Sequence, residues 1–263
     1  MTKNINPMPE LQYIAKQLRL SGLLESLGQR NKEAIARQLT YPEFLAVLLQ
    51  DEMLRREQKK FDFRTRKSGF NPNKTIESFD FLFNPSINKA KILNITSCEF
   101  IKEKVCVLIV GPCGTGKSHL AQAIAQSATQ AGIDSLFITQ TKLLNNLQAA
   151  RATGVYEKCK RALIKVPLLI VDDFGLTPLR TPQDEDFYNV ISERYENTAT
   201  VITSNLDFEE WIQAFPNQVL GMATLDRLRH GAYHIVLDGK SYRAFKDDKE
   251  DSGKSKKGGS KIT

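Results

Sequence analysis

Gly111-Pro-Cys-Gly-Thr-Gly-Lys-Ser118 is the stretch on which the fold turns. It has the spacing G-x-x-x-x-G-K-[ST] of a phosphate-binding P-loop. Val105-Cys-Val-Leu-Ile-Val110 leads into it, an apolar run of the kind buried on both faces of a parallel sheet. Behind it Leu120, Ala121, Ile124, Ala125 and Ala128 recur at helical spacing. Strand, glycine loop and helix are the context in which backbone N–H groups surround phosphates and a helix N-terminus adds partial positive charge. Gly111, Pro112, Cys113, Gly114, Thr115, Gly116, Lys117, Ser118 and His119 are therefore expected to form a nucleoside-triphosphate site. In it Lys117 reaches the β- and γ-phosphates and the Ser118 hydroxyl ligates Mg²⁺. Nothing in the loop sequence offers Lys117 a structural partner, so its charge is expected to be available to phosphate. A glycine-rich turn with an incidental lysine is the competing reading, and the flanking strand and helix weigh against it.

A second motif follows about fifty residues on, Leu168-Leu-Ile-Val-Asp-Asp-Phe-Gly175. An apolar strand ending in acids is a Walker B pattern, with Asp172 placed to hold Mg²⁺ opposite Ser118 and Asp173 placed to act as general base. A pair of helix-capping aspartates is the bland alternative. The next strand ends Val201-Ile-Thr-Ser-Asn205, and Asn205, with Thr203 and Ser204 behind it, is the candidate for orienting the attacking water. An Asn in a turn before a helix would look the same.

Around these motifs, strands are expected at 105–110, 134–139, 167–172, 199–203 and 233–237. Helices are expected at 86–97, 117–131, 141–151, 156–165, 183–196, 207–214 and 220–230. Alternation of this kind is the signature of an α/β parallel sheet flanked by helices. Residues 1–67 read instead as a small all-helical N-terminal domain. Leu11, Ile14, Ala15 and Leu18 form one apolar stripe, and Leu23, Leu24 and Leu27 another. Thr40 caps a helix that carries Phe44, Leu45, Leu48, Leu49 and Met53 and then turns basic. Residues 68–75 read as a linker, 76–245 as the α/β domain, and 246–263, almost free of apolar residues, as a disordered basic tail.

The length of 263 residues suits one or two domains with a substantial core. No apolar run approaches the ~18 residues of a membrane span. The first residues lack the apolar stretch of a signal peptide, so a cytoplasmic location is expected. Cys98, Cys106, Cys113 and Cys159 form no C-x-x-C pair, and His119, His230 and His234 are scattered, so no zinc site is expected. The net charge of +7 favours polyanionic partners, with solubility as the other explanation. It is concentrated in Arg55, Arg56, Lys59, Lys60, Arg64, Arg66 and Lys67. A second basic stretch holds Lys142, Arg151, Lys158, Lys160, Arg161 and Lys165, of which Lys158 and Arg161 are the leading candidates for DNA contact. Solvated helix faces would carry the same charges.

Gly116-Lys-Ser-His-Leu-Ala121, Leu169-Ile-Val-Asp-Asp-Phe-Gly175, Thr203-Ser-Asn-Leu206 with Trp211, Leu225-Asp-Arg-Leu228 and Gly239-Lys-Ser-Tyr-Arg243 occur in that order. So do Leu18-Arg-Leu20, Tyr41 with Phe44-Leu45 and Leu48-Leu49, and Lys74-Thr-Ile-Glu with Phe79-Asp-Phe81. Over roughly residues 10–245 the chain resembles the IstB family of insertion-sequence ATP-binding proteins, relatives of the DnaC helicase loader within the AAA+ class. The resemblance implies a P-loop AAA+ ATPase that uses ATP and Mg²⁺ and assembles as a homo-oligomer on duplex DNA, with ATP sites between subunits. It also implies that the protein is nucleoid-associated when bound, prepares a target site, and recruits or stimulates a partner transposase. Arg227 falls where the family pattern puts an arginine finger acting on a neighbouring subunit, with Arg229 close by, and Arg243 where it puts a second sensor arginine. Asp173 is one methylene shorter than the glutamate of many such sites, so slow turnover is expected. A DnaC-like loader of a replicative helicase is the alternative, distinguished by a preference for single strands. A small-molecule kinase would have no use for Asn205 or Arg227.

Overall fold

The computed structural model describes residues 8–83, 87–239 and 241–242. Arg243 and the segment 246–263 lie outside the described residues. The chain divides into two compact units, residues 1–63 and 64–263.

The first unit holds helices α1 (Met8–Gln17), α2 (Ser21–Arg37) and most of α3 (Tyr41–Ser68). Helix α2 begins after Leu20, a residue with no side-chain oxygen to satisfy the first backbone N–H groups. Glu52 of α3 takes that role, accepting from the N–H groups of Gly22 and Leu23 at 2.5 and 3.2 Å. Arg56 in turn donates to Glu52 at 2.6 Å, Arg55 pairs with Glu25 at 2.5 Å, and Arg30 with Asp51 at 2.8 Å. Polar contacts thus fix how α2 meets α3. The expected apolar stripes contribute little: Ala15, Leu23, Ala34 and Leu48 are buried, whereas Leu11, Ile14 and Leu18 are 39, 46 and 61% exposed. Leu45, Leu49 and Met53 are exposed as well. Helical spacing gathers residues on a face, but it does not supply an element for that face to meet. Thr40 stands immediately before α3, as expected of its cap. It donates both its N–H and its hydroxyl to Glu43, at 2.7 Å each.

In the second unit come α4 (Lys89–Thr96), α5 (Glu99–Glu103), β1 (Cys106–Val110), α6 (Lys117–Gln130), β2 (Ser135–Thr139), α7 (Gln140–Ala152) and α8 (Tyr156–Lys165). There follow β3 (Leu168–Phe174), α9 (Gln183–Arg194), β4 (Ala199–Ser204), a 3₁₀ turn (Glu210–Ala214), α10 (Gln218–Arg229) and β5 (Tyr233–Val236). Two helix expectations are corrected. The segment 86–97 is the shorter α4, followed by the unforeseen α5, because Cys98 takes a left-handed conformation between them. The segment 207–214 is only a 3₁₀ turn.

The strands pair in parallel in the order β2-β3-β4-β1-β5. Successive side chains of a strand face opposite sides, and here both sides are covered. Val107 and Ile109 of β1, Leu168 and Ile170 of β3 and Val201 of β4 meet Leu120, Ile124 and Ala128 of α6. Leu108, Val110, Leu169, Val171 and Ile202 meet Leu143 and Leu147 of α7, Phe187 and Val190 of α9, and Trp211. Arg194, at the end of α9, is 1% exposed. Its guanidinium donates to the carbonyls of Leu163, Ile164, Val166 and Ala199 and to the Thr200 hydroxyl. One side chain therefore satisfies the carbonyl end of α8 and the start of β4.

Ile109→Ala, at a fully buried position, is expected to lower stability by about 2–5 kcal/mol in chemical denaturation. Leu18→Ala is expected to change it by no more than about 0.5 kcal/mol, because its side chain is already in water.

Candidate nucleotide site

Because all strands run the same way, β1, β3 and β4 deliver their C-terminal residues to one end of the sheet. The loop after β1 leaves between two neighbours: Gly111 donates its N–H to Ser204 O at 3.3 Å, and Leu237 donates to Val110 O at 2.8 Å. A Cβ on Gly111 would stand 2.1 Å from Leu237 O, so the chain turns there only as glycine. Gly116, with φ +98°, starts α6, and a Cβ on it would meet the Phe79 ring at 2.9 Å.

Loop and helix N-terminus line a cavity of about 560 Å³ together with Asp173, Leu176, Asn205 and Tyr242. Among the described residues, the N–H groups of Cys113, Gly114, Thr115 and Gly116 donate to no backbone carbonyl. Unpaired donors at a helix N-terminus fit an anion with several oxygens. Lys117 is 5% exposed, and its ammonium donates to the carbonyls of Gly111 and Pro112 at 2.7 Å each. The expectation that it lacks structural partners is thereby corrected. In this conformation the lysine bridges its own loop.

Asp172 is buried and accepts from the Thr203 hydroxyl, and the Ser118 hydroxyl is near enough to act on its carboxylate. Burial raises its pKa, and the two hydroxyl donors oppose the rise. Ser118 and Asp172 are thus brought together as the Walker B reading requires, and a hydroxyl beside a carboxylate is the oxygen donor set that suits Mg²⁺. Asp173 has φ +56° and joins Asn205 on the cavity wall. Its backbone N–H donates to Thr203 Oγ1 at 3.0 Å.

His119 is half-buried and lines the cavity, but its ring is also engaged elsewhere. Nε2 lies 3.0 Å from Thr75 O and 3.1 Å from Ser78 Oγ, and Phe79 stands edge-on to the ring with centroids 5.5 Å apart. Burial lowers its pKa, the Thr75 hydrogen bond opposes this, and the charge of Lys74 adds to the lowering. The ring holds the segment 71–80 against α6, with help from Gln122, which accepts the Asn71 N–H at 2.9 Å, and Gln126, which donates to Pro72 O at 3.3 Å. Lys74, Ser78, Phe79 and Asp80 become part of the cavity wall in this way. Their residue types carry no nucleotide-binding pattern, so nothing in the sequence placed them in the site. Tyr242 donates its N–H to Gly114 O at 3.0 Å, so the segment just before Arg243 also returns to the loop.

Arg227 lies elsewhere. It lines a separate cavity with Cys106 and Thr200, at the starting ends of β1 and β4, a strand length of roughly 15 Å from the loop of its own chain. Its guanidinium sits 5.3 Å from the Tyr188 ring centroid and donates to Ala223 O at 2.7 Å. Arg229 is exposed and donates to Phe208 O.

The family model described as "IstB-like ATP binding protein" matches residues 13–250. The chain belongs to that family. It is 31% identical over 236 residues to a protein named for ATP binding in insertion sequence IS21 of Pseudomonas aeruginosa, covering 90% of this chain and 89% of that one. It is 34% identical over 227 residues to the counterpart in insertion sequence IS5376 of Geobacillus stearothermophilus, covering 86 and 90%. Among solved structures the DnaC helicase loader matches with a TM-score of 0.54 at 22% identity, over 63% of this chain and 97% of that one. DnaI matches at 0.54 and 23% identity, over 62 and 90%. At such identities these two matches speak for the fold alone, which is that of a P-loop AAA+ protein. Family and cavity together make this an ATP-binding chain. Among the described residues, no helix is long and apolar enough to cross a membrane.

Cys113 is exposed on the loop, whereas burial pushes the thiols of Cys98 and Cys106 up to about 11. At neutral pH a maleimide is therefore expected to label Cys113 ahead of Cys98 and Cys106, and saturating ATP should slow that labelling. Peptide mass mapping of the modified protein checks both.

Proposed function

We propose that this chain is a transposition helper: an ATPase that assembles on duplex DNA, prepares a target site, and recruits or stimulates a partner transposase. The observation that carries this reading is the extent of its likenesses. The insertion-sequence relative from Pseudomonas aeruginosa is 31% identical over 90% of the chain, against 22% for the helicase loader over the part it shares. In this reading the helical segment 1–67 serves DNA or partner, 68–75 is the connection, and 76–245 is the ATPase. The protein works in the cytoplasm, at the nucleoid when bound.

The N–H groups of residues 113–116 receive the phosphates, and Lys117 exchanges the carbonyls of Gly111 and Pro112 for phosphate oxygens. Ser118 and Asp172 would hold Mg²⁺, which would supply neutralisation of phosphate charge. Asp173 takes the proton of a water that Asn205 orients, and the short carboxylate makes turnover slow. Arg227, a strand length from its own loop, acts on the site of a neighbouring subunit, and Arg243 is assigned to the same chemistry from the motif alone.

DNA contact falls to the cations that the fold leaves available. Arg55, Arg56 and Arg64 form ion pairs with Glu25, Glu52 and Asp134. Among the described residues Lys59, Lys60, Arg66, Lys67, Lys158 and Arg161 form none, and all six are exposed. A contact made through phosphates alone accepts many target sequences.

With ATP present, binding to duplex DNA measured by fluorescence anisotropy should fall steeply with salt. Replacing Lys59 and Lys60 by Ala should flatten the log–log slope by about 0.9 for each phosphate that is no longer neutralised. A marked preference for single strands would point to a helicase loader instead. Mixing Arg227→Ala with Lys117→Ala subunits should restore ATP turnover that neither has alone, since one interface of each mixed pair carries both parts. No recovery in mixtures that co-assemble would argue for action within one subunit or for Arg229 in place of Arg227.

A further inference from the structure

We propose that Thr203 is a positioning residue, whose one buried hydroxyl sets the direction of Asp173 and fixes Asp172 beside it at a bulge between β3 and β4. The inference rests on the reading of Asp173 as the proton acceptor.

The ladder between β3 and β4 runs regularly from Leu168 opposite Ala199 to Val171 opposite Ile202, and resumes with Phe174 opposite Ser204. Asp172 and Asp173 therefore share a single opposing residue, Thr203. An extra residue in one strand bends it and re-aims a side chain. Here the bend is concentrated at Asp173, whose φ of +56° is a conformation that residues with a Cβ seldom adopt. Asp172 meanwhile keeps its place opposite Thr139 on the other neighbouring strand. The two acids thus stand next to each other in sequence but differ in situation, one buried in the sheet and one on the cavity wall.

The interrupted ladder leaves the Asp173 N–H without a strand carbonyl, and the Thr203 side chain supplies the acceptor at 3.0 Å. That bond decides where the hydroxyl proton goes. A threonine oxygen has one proton to give. With the amide proton pointing at it, its own proton is directed to Asp172 Oδ1. Thr203 is 0% exposed, so no water can substitute for it. Removing the hydroxyl would take an acceptor from the part-buried Asp173 N–H and a donor from the buried Asp172 carboxylate at once, and the chain would relieve this by rotating Asp173 out of its left-handed conformation. The water-activating carboxylate would then move, whereas the loop N–H groups and Lys117 that bind the nucleotide would not.

Thr203→Val preserves shape and deletes the hydroxyl. The expected result is a kcat lower by about ten- to a hundred-fold, the cost of a small misplacement of a reacting group, with KM for ATP changed by less than about threefold. ATP affinity measured in EDTA should be unchanged. The Asp173 amide should exchange faster with deuterium than in the wild type. Thr203→Ser, which keeps the hydroxyl, should restore both the rate and the protection. Should Thr203→Val not fold, Thr203→Cys, with a weaker donor of similar size, takes its place with the same expected direction. Asp173→Asn is assayed alongside. Loss of hydrolysis in Asp173→Asn with a wild-type kcat in folded Thr203→Val or Thr203→Cys overturns the inference alone. A wild-type rate in Asp173→Asn overturns the base assignment and the inference with it. A fall in kcat that Thr203→Ser does not reverse also overturns it.

Discussion

The site depends on β1 being paired along both edges, with β4 on one side and β5 on the other. A strand held in this way cannot shift, so the point at which its backbone leaves the sheet is fixed, and the loop must turn between two other chain segments. Leu237 O closes off any side chain at Gly111, and Ser204 O holds its N–H. Parallel pairing then brings the acids of β3 and the polar end of β4 to the same rim. The loop end of the cavity follows from sheet geometry more than from any single attraction.

Much of this was legible in the residues. Strands buried on both faces read as unbroken apolar runs, so 105–110 and 167–172 were recognisable and lie within a residue or two of β1 and β3. The P-loop and the paired acids were recognisable because their spacing is set by a chemical task. Three other features had no such signal. Thr203 opposite two residues of β3 depends on register between strands thirty positions apart, which no local pattern encodes. His119 was read as a nucleotide-site residue on the helix 117–131, and its engagement with Thr75 and Ser78 comes from a segment with no periodicity. The first unit is the third case. Leu11, Ile14 and Leu18 repeat as a helix face should, yet they stay in water, because periodicity states which residues share a face and not whether that face is covered.

Charge taught a similar lesson. The run from Arg55 to Lys67 looked uniform, but its members divide by helical position. Arg55 and Arg56 pair with Glu25 and Glu52, Arg64 reaches Asp134, and Lys59 and Lys60 form no ion pair among the described residues. An arginine engaged with a carboxylate must surrender that partner before it can take a phosphate, so the number of cations in a sequence overstates the number that can meet DNA.

Arg194 has a mechanical consequence. Its five N–H groups span from the last carbonyls of α8 to Ala199 and Thr200 at the head of β4. A lysine in its place has three donors on one nitrogen and could not reach across the same arc. Helix α8, which bears Lys158 and Arg161, is therefore not hung on a slack loop. A pull on it is delivered to the root of a stiff strand whose tip holds Thr203 and Asn205. Helix and strand must move as one lever, or the guanidinium must let go.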